Sequence, residues 1–239
     1  MTDCKYSACE TYQLLGKAHD ATFELMESMM TTKNASCLGE FALSPLFQRK
    51  WSSAYEAIQD CRPNRKKLMS RYIQEIPTQE YVLLGIDHTA WGRKGAKTLK
   101  ERTYCHQASA KGNVTVGQGY STIAWLPEAG GSWALPLRHE RITSKETPIS
   151  KAVWQLKQVC QNLEQKVLVV ADREYGNGLW VQQTADINAS LLMRVRANAC
   201  LWSKPPAYSG KGRPRKHGQK FKVNDPKTWW AAEEGRRCR

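Results

Sequence analysis

The sequence predicts an α/β protein, a mixed sheet in the order β-β-β-α-β-α-β preceded by a helical region. Three observations carry this expectation. Two short apolar runs, Tyr81-Val-Leu-Leu-Gly-Ile86 and Lys166-Val-Leu-Val-Val-Ala171, suit strands buried on both faces, and each is followed at once by an aspartate, Asp87 and Asp172. A segment of helical periodicity precedes the second run, so the two strands are parallel if they pair. Upstream, residues 10–80 carry apolar side chains at three- and four-residue spacings.

The elements follow in order. Leu14, Leu15, Phe23, Leu25, Met26, Met29 and Met30, then Trp51, Tyr55 and Ile58, then Met69, Tyr72 and Ile73 mark successive helices, with the Met-rich stripe expected in ordinary core. Pro45 and Pro63 divide the region into several short helices. The first strand runs over 81–86 and ends at Asp87. Residues 119–126 and 133–142 read as two further strands, joined through the turn-rich Pro127-Glu-Ala-Gly-Gly131, and the three together make an antiparallel meander. Thr147-Pro148 has the form of an N-cap with proline at the first helical position, and Ile149, Val153, Leu156, Cys160 and Leu163 follow along one apolar face. The strand over 166–171 is succeeded by a helix at Leu179–Asp186 and a fifth strand at 189–195.

Charge points to the partner. The 239 residues hold 36 Lys+Arg against 22 Asp+Glu, a net charge of +14. From Ile187 to Asn224 there is no acidic residue, while Arg194, Arg196, Lys204, Lys211, Arg213, Arg215, Lys216, Lys220 and Lys222 supply nine positive charges. At its centre, Ser209-Gly-Lys-Gly-Arg-Pro-Arg-Lys-His-Gly218 contains too much Gly and Pro for a regular helix, so a mobile arm that follows a phosphate backbone is expected, and a membrane-surface helix is excluded. His217 adds to the same patch. Two smaller clusters lie upstream. Arg62, Arg65, Lys66, Lys67 and Arg71 suit a solvated face, whereas Arg93, Lys94, Lys97, Lys100 and Arg102 begin six residues after Asp87 and belong with the site.

No apolar run approaches the ~18 residues a membrane span requires. Asp3, Lys5 and Glu10 interrupt the stretch where a secretory leader would be apolar, so a cytoplasmic location is expected. The eight cysteines form no C-x-x-C pair, and Cys105 and His106 would point to opposite faces of a strand, so free thiols and no structural zinc are expected.

The two aspartates carry the chemistry. A parallel pairing of their strands brings both carboxylates to one edge, where open α/β sheets bind ligands. Two carboxylates a few ångströms apart repel unless a cation sits between them, and hard oxygen ligands favour Mg²⁺ or Mn²⁺. Taken singly, each aspartate is an ordinary turn or cap residue; the pair, 85 positions apart, is what argues for a metal site. With two ions, one can activate a water or a 3′-hydroxyl while the other stabilises the departing oxygen, as in nucleases and polymerases. His88, on the opposite face from Asp87, is expected to pack behind the site, Arg173 and the basic arm to contact DNA, and Trp91 to lie in the core or at its rim.

Ile86-Asp87-His-Thr-Ala-Trp-Gly-Arg-Lys-Gly95 and Val169-Val-Ala-Asp172-Arg-Glu-Tyr-Gly-Asn177 resemble the first and second acidic motifs of bacterial insertion-sequence transposases of the DDE class. The resemblance covers roughly residues 38–228 and implies a ribonuclease-H-like fold with Mg²⁺-dependent cleavage and strand transfer of double-stranded DNA, at element ends and target. It places Asp87 and Asp172 as catalytic metal ligands and Arg93, Lys94, Lys97, Arg173, Lys211, Arg213, Arg215 and Lys216 on DNA. It divides the chain into a helical region over 1–80 that binds element ends, a catalytic core over 81–195, and a basic insertion beginning at 196. One departure stands out. The third family acid lies in a Y-x-x-R-x-x-x-E pattern, and none follows Asp172: Glu233 and Glu234 each have Trp four residues upstream, and Glu174 is two residues from Asp172. A truncated or frameshifted enzyme with two of three ligands is therefore expected. A DNA-binding remnant that interferes with an intact transposase, and a nuclease that cuts without joining, are the alternatives. Oligomeric state is left open, a homo-oligomer included.

Overall fold

The computed structural model describes residues 2–106, 114–127 and 133–229. Five helices come first: α1 (Thr2–Leu14), α2 (His19–Thr31), α3 (Leu38–Phe41), α4 (Trp51–Asp60) and α5 (Arg65–Gln74). A six-stranded sheet follows, built from β1 (Tyr81–Gly92), β2 (Thr103–His106), β3 (Val114–Trp125), β4 (Leu135–Ile142), β5 (Lys166–Ala171) and β6 (Ser190–Met193). Helix α6 (Pro148–Cys160) joins β4 to β5, and α7 (Gly178–Gln183) joins β5 to β6. Strands β7 (Cys200–Trp202) and β8 (Lys220–Lys222) form a separate antiparallel ribbon.

The sheet is mixed, as expected. β3 pairs antiparallel with β1 on one edge and with β2 and β4 on the other, while β5 lies parallel to β1 and β6 parallel to β5. Alternation along the central strands sets two faces. Val82, Leu84, Ile86, Ile123, Val167, Val169 and Ala171 turn to one side, where α6 brings Ala152, Leu156 and Val159 and α5 brings Met69 and Ile73. Burying each of these larger aliphatic side chains is worth about 1.5–3 kcal/mol, which makes this contact the principal source of stability. α6 begins where Thr147 caps it: the Thr147 hydroxyl accepts from Ser150 N while Ser150 returns the bond to Thr147 N.

Several elements differ from the sequence reading. β1 does not stop at Asp87 but continues to Gly92, because β3 accompanies it six residues beyond the point where β5 ends. β2 was not expected; its four residues are fixed by pairing with the extended start of β3. The Met29–Met30 end of α2 is exposed, at 51% and 79%, because the buried line of that helix is Ala21, Leu25 and Ser28. α4 likewise turns Ala54 and Ala57 inward and Trp51, Tyr55 and Ile58 outward. The basic arm is held at its base by the β7–β8 ribbon, since Leu201 and Phe221 belong to facing strands that the Gly and Pro content does not reach. The expected turn over 127–131 lies, after Pro127, outside the described residues, as do Glu233 and Glu234. Among the described residues no helix is long and apolar enough to cross a membrane.

One buried polar contact locks α6 to the sheet. Ser121 Oγ donates to Gln155 Oε1 (2.6 Å) and Gln155 Nε2 donates to the Ser121 carbonyl (3.0 Å), with both residues fully buried. Ser121→Ala strands the Gln155 oxygen in the core. It should lower stability by about 1–3 kcal/mol in urea denaturation, and adding Gln155→Leu should restore part of the loss.

Candidate active site

The β1–β5 ladder ends with Ile86 opposite Ala171. The next residue on each strand is an aspartate, so Asp87 and Asp172 stand side by side at the C-terminal end of the parallel pair. Adjacent strands are about 4.8 Å apart. Ile86 and Ala171 point into the core, so by alternation both carboxylates belong to the opposite, open face, and both residues are exposed.

Local bonds fix each carboxylate by one oxygen. Asp87 Oδ1 accepts from the backbone N–H of His88 (2.8 Å), and Asp172 Oδ1 accepts from Glu174 N (2.8 Å) in a turn that the aspartate side chain itself closes. The remaining oxygen of each accepts no hydrogen bond among the described residues, and neither carboxylate is paired there with Lys or Arg. That is the donor set a hard divalent cation fits: two neighbouring, uncompensated anionic oxygens. Among the described residues no cluster of three or more His, Cys, Asp or Glu is arranged to hold a metal.

The segment after Asp172 is a compact turn. Tyr175 N donates to Asp172 O (3.2 Å), Gly176 N to Arg173 O (3.3 Å) and Asn177 N to Tyr175 O (2.8 Å). Asn177 then caps α7, its side chain accepting from Trp180 N (3.0 Å) and donating to Glu174 O (2.8 Å). Tyr175 and Trp180 are buried edge to face with centroids 5.1 Å apart, which anchors the turn in the core. The Tyr175 phenol is held far above its ordinary pKa, by burial first and then by the negative charges of Asp87, Asp172 and Glu174. The role of Tyr175 was missed in the sequence; its place in the motif Asp172-Arg-Glu-Tyr-Gly was the signal.

Glu174 does not join the pair. Its carboxylate lies 3.1 Å from His88 Nδ1, and His88 packs edge to face near Tyr175 (6.4 Å between centroids), on the core side of β1. His88 thus packs behind the site, as expected, and Glu174 faces it rather than the aspartates.

The basic residues lie on the loop after β1, on the turn after β5 and on the loop between β7 and β8. Arg93 lies with its guanidinium 3.7 Å from the centroid of the Trp91 ring, and Trp91 is an exposed rim residue. Lys94 and Lys97 are exposed in a loop whose carbonyls, at 93, 94 and 97, accept from Arg102; that arginine acts as a brace. Arg173 is exposed and lines a cavity of about 910 Å³ with Asn177, Arg196, Cys200 and Leu201, between the Asp172 turn and the ribbon. Lys211, Arg213, Arg215 and Lys216 are all exposed on the loop between β7 and β8, without a salt-bridge partner among the described residues.

The sequence profile of a family described as DDE superfamily endonuclease matches residues 12–238. Among solved structures, the Drosophila P element transposase strand transfer complex is 8% identical, covers 80% of this chain and 47% of its own, and superposes with a TM-score of 0.38. The Mos1 strand transfer complex is 13% identical, covers 73% of this chain and 58% of its own, with a TM-score of 0.27. The chain thus spans about half the length of the solved structures it matches. No curated protein matches it.

The turn that carries Asp172 depends on a close approach. A Cβ on Gly176 would stand 2.4 Å from the Arg194 carbonyl oxygen. Gly176→Ala should therefore push the turn off the end of β6, lowering the thermal midpoint and exposing Tyr175, detectable as faster hydrogen exchange across residues 172–177.

Proposed function

The chain belongs to the DDE superfamily endonuclease family, and from that premise we propose that it is a transposase of insertion-sequence type, acting on double-stranded DNA through a divalent ion held by Asp87 and Asp172. The observation that carries the reading is the register: two unneutralised carboxylates adjacent across a parallel pair of strands, at the edge of a molecule of net charge +14. Mg²⁺ or Mn²⁺ bound there would polarise the scissile phosphate and lower the pKa of the attacking water or 3′-hydroxyl. The protein groups do the rest. Asp172 is positioned by its own turn, which Tyr175 anchors in the core, and Asp87 by β3, while Arg93, Lys94, Lys97, Arg173 and the β7–β8 loop hold the phosphate backbone.

In this reading the helical region over 1–80 engages the element ends, residues 81–195 are the catalytic core, and the segment from 196 is a DNA-binding insertion. A bacterial origin rests on the acidic motifs alone. A homo-oligomer, with one copy at each DNA end, is the assembly that two-ended chemistry would require.

A second reading is favoured by one observation, the absence of a third metal-ligating side chain beside the pair among the described residues. A two-carboxylate site binds an ion more weakly and orients it less well, so this chain would then act by occupying DNA ends rather than cutting them.

One assay separates the two. The purified chain, given supercoiled plasmid carrying terminal repeats and Mg²⁺ or Mn²⁺, should nick it, and Asp87→Asn or Asp172→Asn should each reduce nicking at least ~100-fold while changing DNA affinity little. No nicking with either ion, together with retained DNA binding, would establish the occupying role; loss of binding in the Asn variants would make the pair structural. Replacing Lys211, Arg213, Arg215 and Lys216 by Gln should lower affinity for all duplex sequences alike. It should also reduce the slope of log affinity against log salt by roughly 3–4, about 0.9 for each phosphate contact removed.

A further inference from the structure

We infer that the open face of the sheet carries a stacking platform for unpaired nucleobases, built from Trp91, Tyr120 and His139, beside the aspartate pair. The inference rests on the DNA-cleaving reading above and adds a subsite for the strand next to the cut.

The register places these residues. Asp87 is opposite Thr122 on β3, and Thr122 is opposite His139 on β4, so a single row crosses the sheet from the acid pair to the imidazole. Thr89 is opposite Tyr120, and Trp91 opposite Gln118, one and two pleats further along the same face. His88 and Ser121, on the alternate positions, belong to the core face instead. The distance along β1 from Asp87 to Trp91 is roughly 13 Å, about the rise of four stacked nucleotides.

The rings are held in place before any ligand arrives. Tyr120 and His139 lie parallel, with an interplanar angle of 4° and centroids 5.1 Å apart. The His139 ring is pinned by a 2.8 Å hydrogen bond between Nδ1 and Thr122 Oγ1. The Tyr120 hydroxyl donates to Gln118 Oε1 (2.9 Å), and buried Gln118 donates in turn to the Lys100 carbonyl (2.9 Å). Trp91 stands 6.5 Å from Tyr120 and is 49% exposed, with the Arg93 guanidinium over its ring. His139 is exposed.

Charge and shape choose the occupant. Arg93, Lys94 and Lys97 rim the aromatic end with exposed positive charge, which suits a phosphodiester backbone, and flat rings offer their faces to bases. A duplex hides those faces in its own stack. The fitting ligand is therefore a single-stranded stretch of DNA, the frayed strand flanking the scissile phosphate. Fixed rings bind with little loss of rotamer freedom, so the platform would contribute affinity without ordering cost.

The test uses the full chain in EDTA, so that no cleavage occurs, with fluorescein-labelled oligothymidine and a duplex of equal length read by anisotropy. Trp91→Ala and His139→Ala should each weaken oligothymidine binding about tenfold, as expected for one lost base–aromatic stack, and leave duplex binding within twofold. Trp91→Phe and His139→Phe should retain most of the affinity. Photocrosslinking wild-type chain to bromodeoxyuridine-substituted strand, followed by peptide mapping, should place adducts on peptides containing Trp91, Tyr120 or His139. Equal losses for duplex and single strand, unchanged single-strand binding, or adducts confined to residues 200–222 would overturn the platform. The Asp87→Asn/Asp172→Asn double variant should keep the single-strand preference, so a failed cleavage reading and a failed platform give different results.

Discussion

The structure depends on the parallel ladder between β1 and β5 and on where it ends. Val82 opposite Val167, Leu84 opposite Val169 and Ile86 opposite Ala171 lay down a buried apolar strip, and the first residues past it are both aspartates. Like charges on adjacent strand ends repel, by about 1 kcal/mol for a pair about 4 Å apart in water. The fold carries that cost because the strip and α6 hold the strands in register regardless of the charge at their tips. A cation that neutralises the pair removes a penalty the core has already overcome, which is why the place suits a metal.

Much of the central layer was legible in the sequence because its signals are local. The apolar runs at 81–86 and 166–171, the Thr147-Pro148 start of α6 and the aspartates after each run all survive into the structure, since burial on both faces and helix capping depend on neighbouring residues. What was not legible depends on partners far along the chain. Whether β1 stops at Asp87 is decided by the length of β3, and whether residues 103–106 form a strand is decided by pairing with 114–117. The exposure of Met29 and Met30 follows from which side of α2 meets Phe47 and Ala54, a choice spacing alone leaves open. Asp87, Asp172 and the basic residues could be read as candidates from type and position. Tyr120 and His139 could not, because only the β3–β4 register brings them into one row with Asp87.

The Asp172 turn shows how a short motif can be dense with physical requirements. Asp172 closes the turn with its own side chain, Tyr175 fills the core against Trp180, Gly176 passes the Arg194 carbonyl where a Cβ would stand 2.4 Å away, and Asn177 caps α7. Each position is constrained for a separate reason, and only Asp172 among them faces the chemistry. The rest of the motif is scaffolding for one carboxylate.

Alternation ties that scaffolding to function. Along β1 the even positions Val82, Leu84, Ile86 and His88 face the core, and the odd positions Asp87, Thr89 and Trp91 face outward. A slip of one residue between β1 and β3 would put Asp87 in the core and Ile86 in water, a loss of both burial and carboxylate solvation. The register that stabilises the fold is therefore the only one that presents the acid and the aromatic residues on one open surface. Packing on one face of the sheet thus determines the chemistry available on the other.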